Sequence, residues 1–189
     1  MSRSVLWFFD PAQTPRVYPD PRANGLIDKT FHRLSETVLD TCRAARLKLA
    51  TAESCTGGMV AAALTDIAGS SDVVERGFVT YSNEAKTELL GVPASMIAAH
   101  GAVSAQVATA MVQGALARAP VDIAVSITGI AGPGGATSGK PVGLVYFGIA
   151  RKGGAARVER HNYQGERASI RAAATERALE LLLETASGR

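Results

Sequence analysis

A polar, glycine-containing octapeptide lies between two apolar runs of the chain: Thr51-Ala52-Glu53-Ser54-Cys55-Thr56-Gly57-Gly58. The run before it, residues 47–50, has the length of a buried strand. The run after it, residues 59–64, has helical composition and spacing. The octapeptide is therefore predicted to connect a strand to a helix.

This position gives Ser54 a possible chemical role. It would lie beside the unpaired N–H groups at the positive end of the helix dipole, and such groups can bind the oxyanion of an acyl transfer. The alternative is that Ser54 or Thr56 is only an N-cap and that the two glycines only form a turn. The octapeptide alone leaves both interpretations open.

Helical and strand patterns alternate along the rest of the chain and then give way to a hairpin. Strands are predicted at 47–52, 75–82, 121–128, 142–150 and 156–163. Helices are predicted at 26–46, from the octapeptide to about 68, from 83 to a break at 91–93, at 93–100, at 104–118 and at 167–186, with Ser82 or Asn83 and then Ser104 as caps. This order predicts one three-layer α/β/α domain with a mixed sheet.

Composition limits the class of protein. The 189 residues suit one domain, predicted at 26–189, preceded by a proline-rich arm at 1–25. Hydrophobic residues make up 47% and aromatic residues only 5%, so small side chains should allow close helix–sheet packing. A net charge of +3 without a basic run between aromatic residues argues against nucleic-acid binding. No apolar run has the length of a signal core or a membrane span, so a cytoplasmic location is expected.

Three strand ends carry polar or glycine-rich clusters: the Ser54 turn, the segment 81–86 and the loop 128–135. Ligands bind beyond the carboxyl ends of strands in open α/β sheets, so these clusters are predicted to meet in one crevice. The glycine loop is neither a P-loop nor a dinucleotide fingerprint. Arg167 and Arg171 could meet a phosphate there, although a surface role is slightly favoured.

A serine nucleophile needs a base, and the sequence offers few. His32, His100 and His161 fit poorly, since each is better explained as a surface or packing residue. Lys86 can serve if partial burial lowers its pKa, with Tyr81 relaying a proton. A solvated Lys86 and a merely packed Tyr81 are equally good explanations.

Two neighbours of Ser54 remain open. Cys55 could be a thiolate nucleophile at a helix N-terminus, or a small buried residue that contributes only its N–H. Glu53 could be a general acid or base, or could hydrogen-bond the loops. No cluster has metal-ligand spacing, so neither a metal nor another cofactor is expected.

Six motifs together resemble the CinA C-terminal domain family over roughly residues 28–186. They are found in the same order in this chain: Ala52-Glu53-Ser54-Cys55-Thr56-Gly57-Gly58, Asp66-Ile67-Ala68-Gly69-Ser70-Ser71, Arg76-Gly77-Phe78-Val79-Thr80-Tyr81-Ser82-Asn83-Glu84-Ala85-Lys86, His100-Gly101-Ala102-Val103-Ser104, Thr128-Gly129-Ile130-Ala131-Gly132-Pro133-Gly134-Gly135 and Lys140-Pro141-Val142-Gly143. The resemblance implies a stand-alone amidohydrolase that converts nicotinamide mononucleotide and water to nicotinic acid mononucleotide and ammonia.

The resemblance also implies site roles. Ser54 would be the nucleophile and Lys86 its base, with Tyr81 assisting. The inferred oxyanion hole is formed by backbone N–H groups of Cys55, Thr56 and Gly57. The nucleotide would contact the glycine loop at Thr128, Gly129, Ala131 and Gly132.

Two departures from the family pattern matter. Many members carry a larger N-terminal domain, where this sequence has only the short arm, and the segment 137–139 is variable. The alternative function is a catalytically silent nucleotide-binding or regulatory module. The expected partners are the small nucleotide substrate and further copies of the chain in a homo-oligomer, with no nucleic acid and no membrane.

Overall fold

The computed structural model describes the backbone of residues 29–188 and the side chains of residues 31–188. The predicted arm at 1–25 and the start of the first predicted helix therefore lie outside the described residues. Six helices and five strands follow one another in this part of the chain: α1 Lys29–Ala45, β1 Leu49–Glu53, α2 Met59–Thr65, β2 Val74–Val79, α3 Asn83–Leu90, α4 Ala94–His100, α5 Ala105–Arg118, β3 Ile123–Gly129, β4 Leu144–Arg151, β5 Arg157–Asn162 and α6 Arg167–Ala186. A 3₁₀ turn, Ser70–Asp72, precedes β2.

The five strands form one mixed sheet in the order β2-β1-β3-β4-β5. Strand β1 runs parallel to both β2 and β3, whereas β4 is antiparallel to β3 and β5 is antiparallel to β4. The predicted mixed sheet and the late hairpin are thus confirmed. The carboxyl ends of β1, β2 and β3 lie at the same edge of the sheet.

Alternate residues of the central strands face two separate cores. Leu49 of β1 packs with α1, α2 and α6, whereas the adjacent Ala50 and Ala52 pack with α3, α4 and α5. Both faces of β1 are therefore covered, which explains why all of its residues are buried. The three-layer α/β/α prediction is confirmed.

Small residues let α5 lie close to the sheet. A Cβ atom on Gly148 of β4 would stand 2.7 Å from the carbonyl oxygen of Ala108 in α5. The same carbonyl accepts a hydrogen bond of 2.7 Å from the Ser126 hydroxyl of β3. The expectation that small side chains permit close helix–sheet packing is confirmed here.

Several boundaries differ from the predicted ones for local physical reasons. Helix α2 begins only at Met59, and its N-cap is Gly58 with φ 94°, so neither Ser54 nor Thr56 is its N-cap. It ends at Thr65 rather than near 68, ahead of the left-handed Gly69. The predicted serine caps are confirmed, because Ser82 accepts from the Ala85 N–H and Ser104 from the Val107 N–H.

Candidate active site

The three predicted clusters meet at the shared carboxyl edge of the strands, around a cavity of about 270 Å³. All of the predicted site residues line it except Thr56 and Gly57, and the complete lining is Ser54, Cys55, Tyr81, Asn83, Lys86, Ala102, Val103, Thr128, Gly129, Ile130, Ala131, Gly132, Gly134, Gly135 and Arg167. A larger cavity between α3 and α4, about 430 Å³, is lined by Glu84 and Glu88 and by Thr87, whose hydroxyl donates to the Asn83 carbonyl.

Ser54 and Lys86 are in direct contact in this cavity. Ser54 follows the last residue of β1, and Lys86 lies in the first turns of α3 after β2. The Lys86 Nζ atom is 3.1 Å from the Ser54 Oγ atom. This pair has the spacing that a nucleophile and its general base require.

Burial of Lys86 favours its neutral form, and neighbouring backbone carbonyls hold its amine in position. The residue is only 1% exposed, and burial lowers the pKa of its amine below the ordinary value. Its Nζ also lies 2.7 Å from the carbonyl oxygen of Thr80 and 3.3 Å from that of Ser82. A neutral amine can donate to these two carbonyls and keep its lone pair for the Ser54 proton.

Cys55 is a buried packing residue in this structure. It is 6% exposed, and burial raises the pKa of its thiol to about 12, which is only partly offset by the nearby N–H groups of Cys55 and Thr56. A Cβ on Gly129 would stand 3.0 Å from its Sγ atom, so the thiol packs against the start of the glycine loop. These features favour the Cys55 interpretation without thiolate chemistry.

Glu53 fastens the turn to α2. Its buried carboxylate accepts hydrogen bonds from the Thr51 hydroxyl and from three backbone N–H groups at the start of α2, those of Gly58, Val60 and Ala61, at 2.9–3.1 Å. The carboxylate thus performs the capping that Ser54 and Thr56 do not. Of the two open interpretations of Glu53, hydrogen bonding to the loop is the one that fits.

The backbone of the turn is held on several sides. The Ser54 N–H donates to the Ile127 carbonyl of β3, and the Gly57 N–H donates to the Ser54 carbonyl. Gly57 is exposed, and Thr56 is buried with no hydrogen-bond partner for its hydroxyl among residues 29–188. The Gly57 N–H is consequently bonded within the turn. Of the three N–H groups predicted to form the oxyanion hole, those of Cys55 and Thr56 remain candidates.

The loop after β3 forms the opposite wall. The Thr128 hydroxyl donates to the Ala102 carbonyl at 2.8 Å, which ties β3 to the loop before α5. A side chain at Gly129 would collide with Val145 and with the carbonyl of Leu144, at 2.7 and 2.9 Å. A glycine is required here because the loop passes directly over β4.

Two arginines of α6, for which a surface role was slightly favoured, contact the site: Arg167 is exposed at its rim and Arg171 is half-buried. Arg167 lines the cavity and donates to the Gly132 carbonyl at 2.8 Å and to the Tyr81 hydroxyl at 3.1 Å. Arg171 donates to the carbonyls of Cys55 and Thr56. Their four-residue spacing on α6 was the one available signal, since it puts both on the same helix face.

Tyr81 lies at the rim of the cavity, with 63% of its surface exposed. Its backbone carbonyl is 3.5 Å from the Lys86 amine, whereas its hydroxyl bonds to Arg167. Asn83, Ile130, Gly134 and Gly135 of the lining lie within the predicted clusters, whereas Ala102 and Val103 were given no site role from the sequence. Apolar side chains such as these two carry no chemical signal until the fold brings them to a cavity.

The histidines have the packing or surface roles expected of them. His32 is exposed on α1, His100 ends α4, and His161 of β5 contacts Glu159 and stacks on Tyr163 with ring centroids 5.5 Å apart. Among residues 29–188, no group of three or more His, Cys, Asp or Glu side chains could hold a metal ion. No helix in that range is long and apolar enough to cross a membrane.

The family model described as the CinA C-terminal domain matches residues 31–186. The chain belongs to the CinA family. A stand-alone relative, the Nicotinamide-nucleotide amidohydrolase PncC of Escherichia coli strain K12, is 49% identical over 157 residues, which cover 83% of this chain and 95% of that protein.

Other CinA relatives are longer. A putative competence-damage inducible protein of Caldicellulosiruptor bescii is 49% identical over 79% of this chain but only 36% of its own length. The chain spans about a third of the first curated relatives that it matches. Among solved structures, the competence/damage inducible protein CihA from Agrobacterium tumefaciens has a TM-score of 0.82 and 44% identity, covering 84% of this chain and 97% of that one.

Proposed function

We propose that this CinA-family chain hydrolyses the carboxamide of nicotinamide mononucleotide to give nicotinic acid mononucleotide and ammonia. The observation that carries the proposal is the contact of 3.1 Å between the Lys86 amine and the Ser54 hydroxyl in a cavity at the carboxyl edge of the sheet. The name of the Escherichia coli relative, which this chain matches over nearly its whole length, supports the substrate.

In the first step Ser54 Oγ attacks the carboxamide carbon and neutral Lys86 takes the hydroxyl proton. The developing oxyanion is stabilised by the N–H groups of Cys55 and Thr56. Collapse of the tetrahedral intermediate breaks the C–N bond, and the Lys86 ammonium returns its proton to the departing ammonia. The result is an ester between Ser54 and the nicotinoyl group.

In the second step water hydrolyses this ester. Lys86, neutral again after ammonia leaves, takes a proton from the attacking water and then returns it to Ser54 Oγ. The carbonyls of Thr80 and Ser82 stay bonded to the amine during both steps and keep it within reach of the hydroxyl. One amine thus serves as acid and base in each half of the reaction.

The nucleotide part of the substrate would lie along the glycine loop. Thr128, Gly129, Ala131 and Gly132 provide a wall with little side-chain bulk, and Tyr81 stands across from them at the rim. Arg167 is the cation that lines the cavity between these two walls. We further propose that the active form is a cytoplasmic homo-oligomer, in keeping with the apolar side chains Val79 and Leu89 that the described chain exposes.

Ammonia release from nicotinamide mononucleotide, without added metal, tests the proposal. Wild type should release ammonia, and Ser54→Ala should lower the rate by at least about 10³-fold with an unchanged unfolding midpoint, because the covalent step is lost. Ser71→Ala is the matched control, since Ser71 is exposed near the opposite edge of the sheet and should leave the rate unchanged.

The alternative of a silent nucleotide-binding module makes the opposite prediction. It requires that folded wild type bind the nucleotide in calorimetry and release no ammonia. Full activity in Ser54→Ala would remove the nucleophile assignment even if wild type were active.

A further inference from the structure

Two arginines one turn apart on α6 hold the two walls of the site. Arg167 bonds to the glycine loop and to Tyr81, whereas Arg171 bonds to the turn that carries Ser54. Arg171 is half-buried, and its backbone carbonyl accepts from the Thr175 hydroxyl one turn later. The two arginines therefore differ in what they contact, and only Arg171 reaches the nucleophile turn.

We propose that Arg171 is a positioning residue for catalysis, which orients the peptide groups of the Ser54 turn through the carbonyls of Cys55 and Thr56. Its Nε atom is 3.1 Å from the Cys55 carbonyl oxygen, and its Nη2 atom is 2.8 Å from that of Thr56. This role rests on the Ser54 nucleophile and the oxyanion donors of the proposed function, but not on the identity of the amide substrate.

The planarity of the peptide bond carries this orientation to the reacting side of the turn. The carbonyl of Cys55 and the N–H of Thr56 belong to one peptide group and point in opposite directions. The Arg171 guanidinium holds the Cys55 carbonyl toward α6. The Thr56 N–H of the same peptide group therefore points away from α6. The Thr56 N–H is one of the two donors that remain for the oxyanion, so its direction affects the transition state more than the bound substrate.

Other contacts of the turn do not replace this one. Glu53 fixes the N–H groups that follow the turn, and Ile127 fixes the Ser54 N–H before it. Between these two points the Ser54 carbonyl accepts from the Gly57 N–H, and the Thr56 carbonyl accepts a long hydrogen bond of 3.4 Å from the Met59 N–H. Among the described residues, Arg171 is the one donor to the Cys55 carbonyl. Only the planar fork of an arginine provides two donors in a fixed geometry for both carbonyls, which a lysine ammonium does not.

Gly57 lies beside the guanidinium of Arg171. A Cβ atom at this position would stand 3.5 Å from the Arg171 Nη2 atom, in ordinary van der Waals contact, and the residue has φ 61°.

Arg171 also borders a second cavity of about 490 Å³ beside α6, together with Arg167, Gly132 and Val142. A direct contact of Arg171 with substrate in that cavity is the rival explanation that the experiment has to separate.

Steady-state kinetics of Arg171→Gln and Arg171→Lys separate the two. A positioning role predicts that kcat falls about 10- to 100-fold in Arg171→Gln while KM changes less than about twofold, since small misplacements of reacting groups act on the transition state. Arg171→Lys should recover only part of kcat, and millimolar methylguanidinium should raise kcat in Arg171→Ala. A rise in KM with unchanged kcat would overturn the proposal in favour of substrate contact.

Arg177→Gln is the matched control on the same helix. Arg177 bonds to the carboxylates of Glu159, Glu180 and Glu184 rather than to the site. Its loss should lower the unfolding midpoint and leave kcat unchanged. An equal loss of kcat in Arg177→Gln and Arg171→Gln would show that general destabilisation explains both, and would overturn the positioning role.

A fluorophosphonate probe tests the turn without the amide substrate. Ser54 Oγ forms a bond to phosphorus, fluoride leaves, and the hydroxyl proton passes to Lys86, so that one adduct appears in the intact mass. Labelling of Arg171→Gln should be about 10- to 100-fold slower than that of wild type. If wild type were labelled in this Arg171-dependent way but released no ammonia, the proposed function would fail and the positioning role would stand. Equal labelling rates of wild type and Arg171→Gln would overturn the positioning role.

Discussion

Two buried ionisable side chains, Glu53 and Lys86, lie beside the site and differ in their hydrogen-bond partners. The Glu53 carboxylate is surrounded by four donors and fastens the Ser54 turn to α2. The Lys86 amine, equally buried, has two close carbonyls and a reactive hydroxyl as neighbours. Both oxygens of the carboxylate therefore have hydrogen-bond donors, whereas burial lowers the pKa of the amine.

This difference supports a structural role for Glu53 and the proposed base role for Lys86. A buried carboxylate whose oxygens are both hydrogen-bonded has the partners that a buried polar group needs. A desolvated amine 3.1 Å from a hydroxyl has the geometry that a general base requires. Burial alone thus does not identify a catalytic residue, because the partners of the buried atom decide its role.

The largest expected effect is on Lys86. Replacement by Met keeps most of the length of the side chain but removes the proposed base, so kcat should fall about 10²- to 10⁴-fold. The fold should persist, because the variant no longer buries an amine. Ammonia release and circular dichroism measure the two effects, and Lys48→Met, which removes an exposed lysine beyond the other end of β1, should leave kcat unchanged. An unaltered rate in Lys86→Met would move the base elsewhere.

The protonation of Lys86 gives the next effect. The proposed base is the neutral amine, so kcat/KM should rise with pH up to the lowered pKa and level off below the ordinary lysine value of about 10.4. A pH profile of kcat/KM from pH 6 to 10 measures this. A profile that still rises at pH 10 would show that the amine is not desolvated in solution.

The same group links stability to pH with a definite sign. Between the lowered pKa of the folded state and about 10.4 the unfolded chain binds more protons at this residue, so the free energy of unfolding should rise with pH across that window. Urea unfolding of wild type and Lys86→Met at several pH values isolates the contribution. A difference between the two proteins that stays constant with pH would contradict it.

Much of this arrangement follows from local sequence signals. The serines at 82 and 104 predicted the caps of α3 and α5, and the end of the β1 run predicted the turn at Ser54. These signals act within a few residues, where hydrogen bonding and periodicity operate directly. For the pairing of Ser54 with Lys86, 32 residues apart in sequence, the residues alone left two equally good explanations, and the family resemblance favoured the pairing.

Partners of distant side chains could not be read from the sequence. Arg171 contacts residues that precede it by more than a hundred positions, and its destination depends on how α6 packs against α1 and α2. The role of Glu53 likewise depends on where α2 begins, and that boundary was predicted without its carboxylate cap. Long-range packing supplies both answers.

Substitution of Glu53 by Gln should produce the largest loss of stability among the carboxylates. The amide keeps one acceptor oxygen and turns an NH₂ group toward N–H donors, so about 3 kcal/mol should be lost from the free energy of unfolding. Urea denaturation measures this, with Glu75→Gln as the control on the more exposed neighbouring strand, where a loss within about 0.5 kcal/mol is expected. Equal losses in the two variants would show that the buried hydrogen bonds of Glu53 stabilise the fold no more than the more exposed contacts of Glu75.

The smallest effect belongs to a carboxylate outside the cores. Hydrogen bonds from Arg177, and further from His161, lower the pKa of Glu159 from 4.5 to about 2. The stabilisation is therefore complete above about pH 4.5 and is lost as the pH falls toward 2. Because the pair is partly exposed and screened, Glu159→Gln should cost only about 1 kcal/mol at pH 6, and less in 0.5 M salt. Urea unfolding at pH 6 and pH 3 should show the difference between variant and wild type shrinking; a difference that persists at pH 3 would mean that packing of the side chain, rather than its charge, holds β5 to α6.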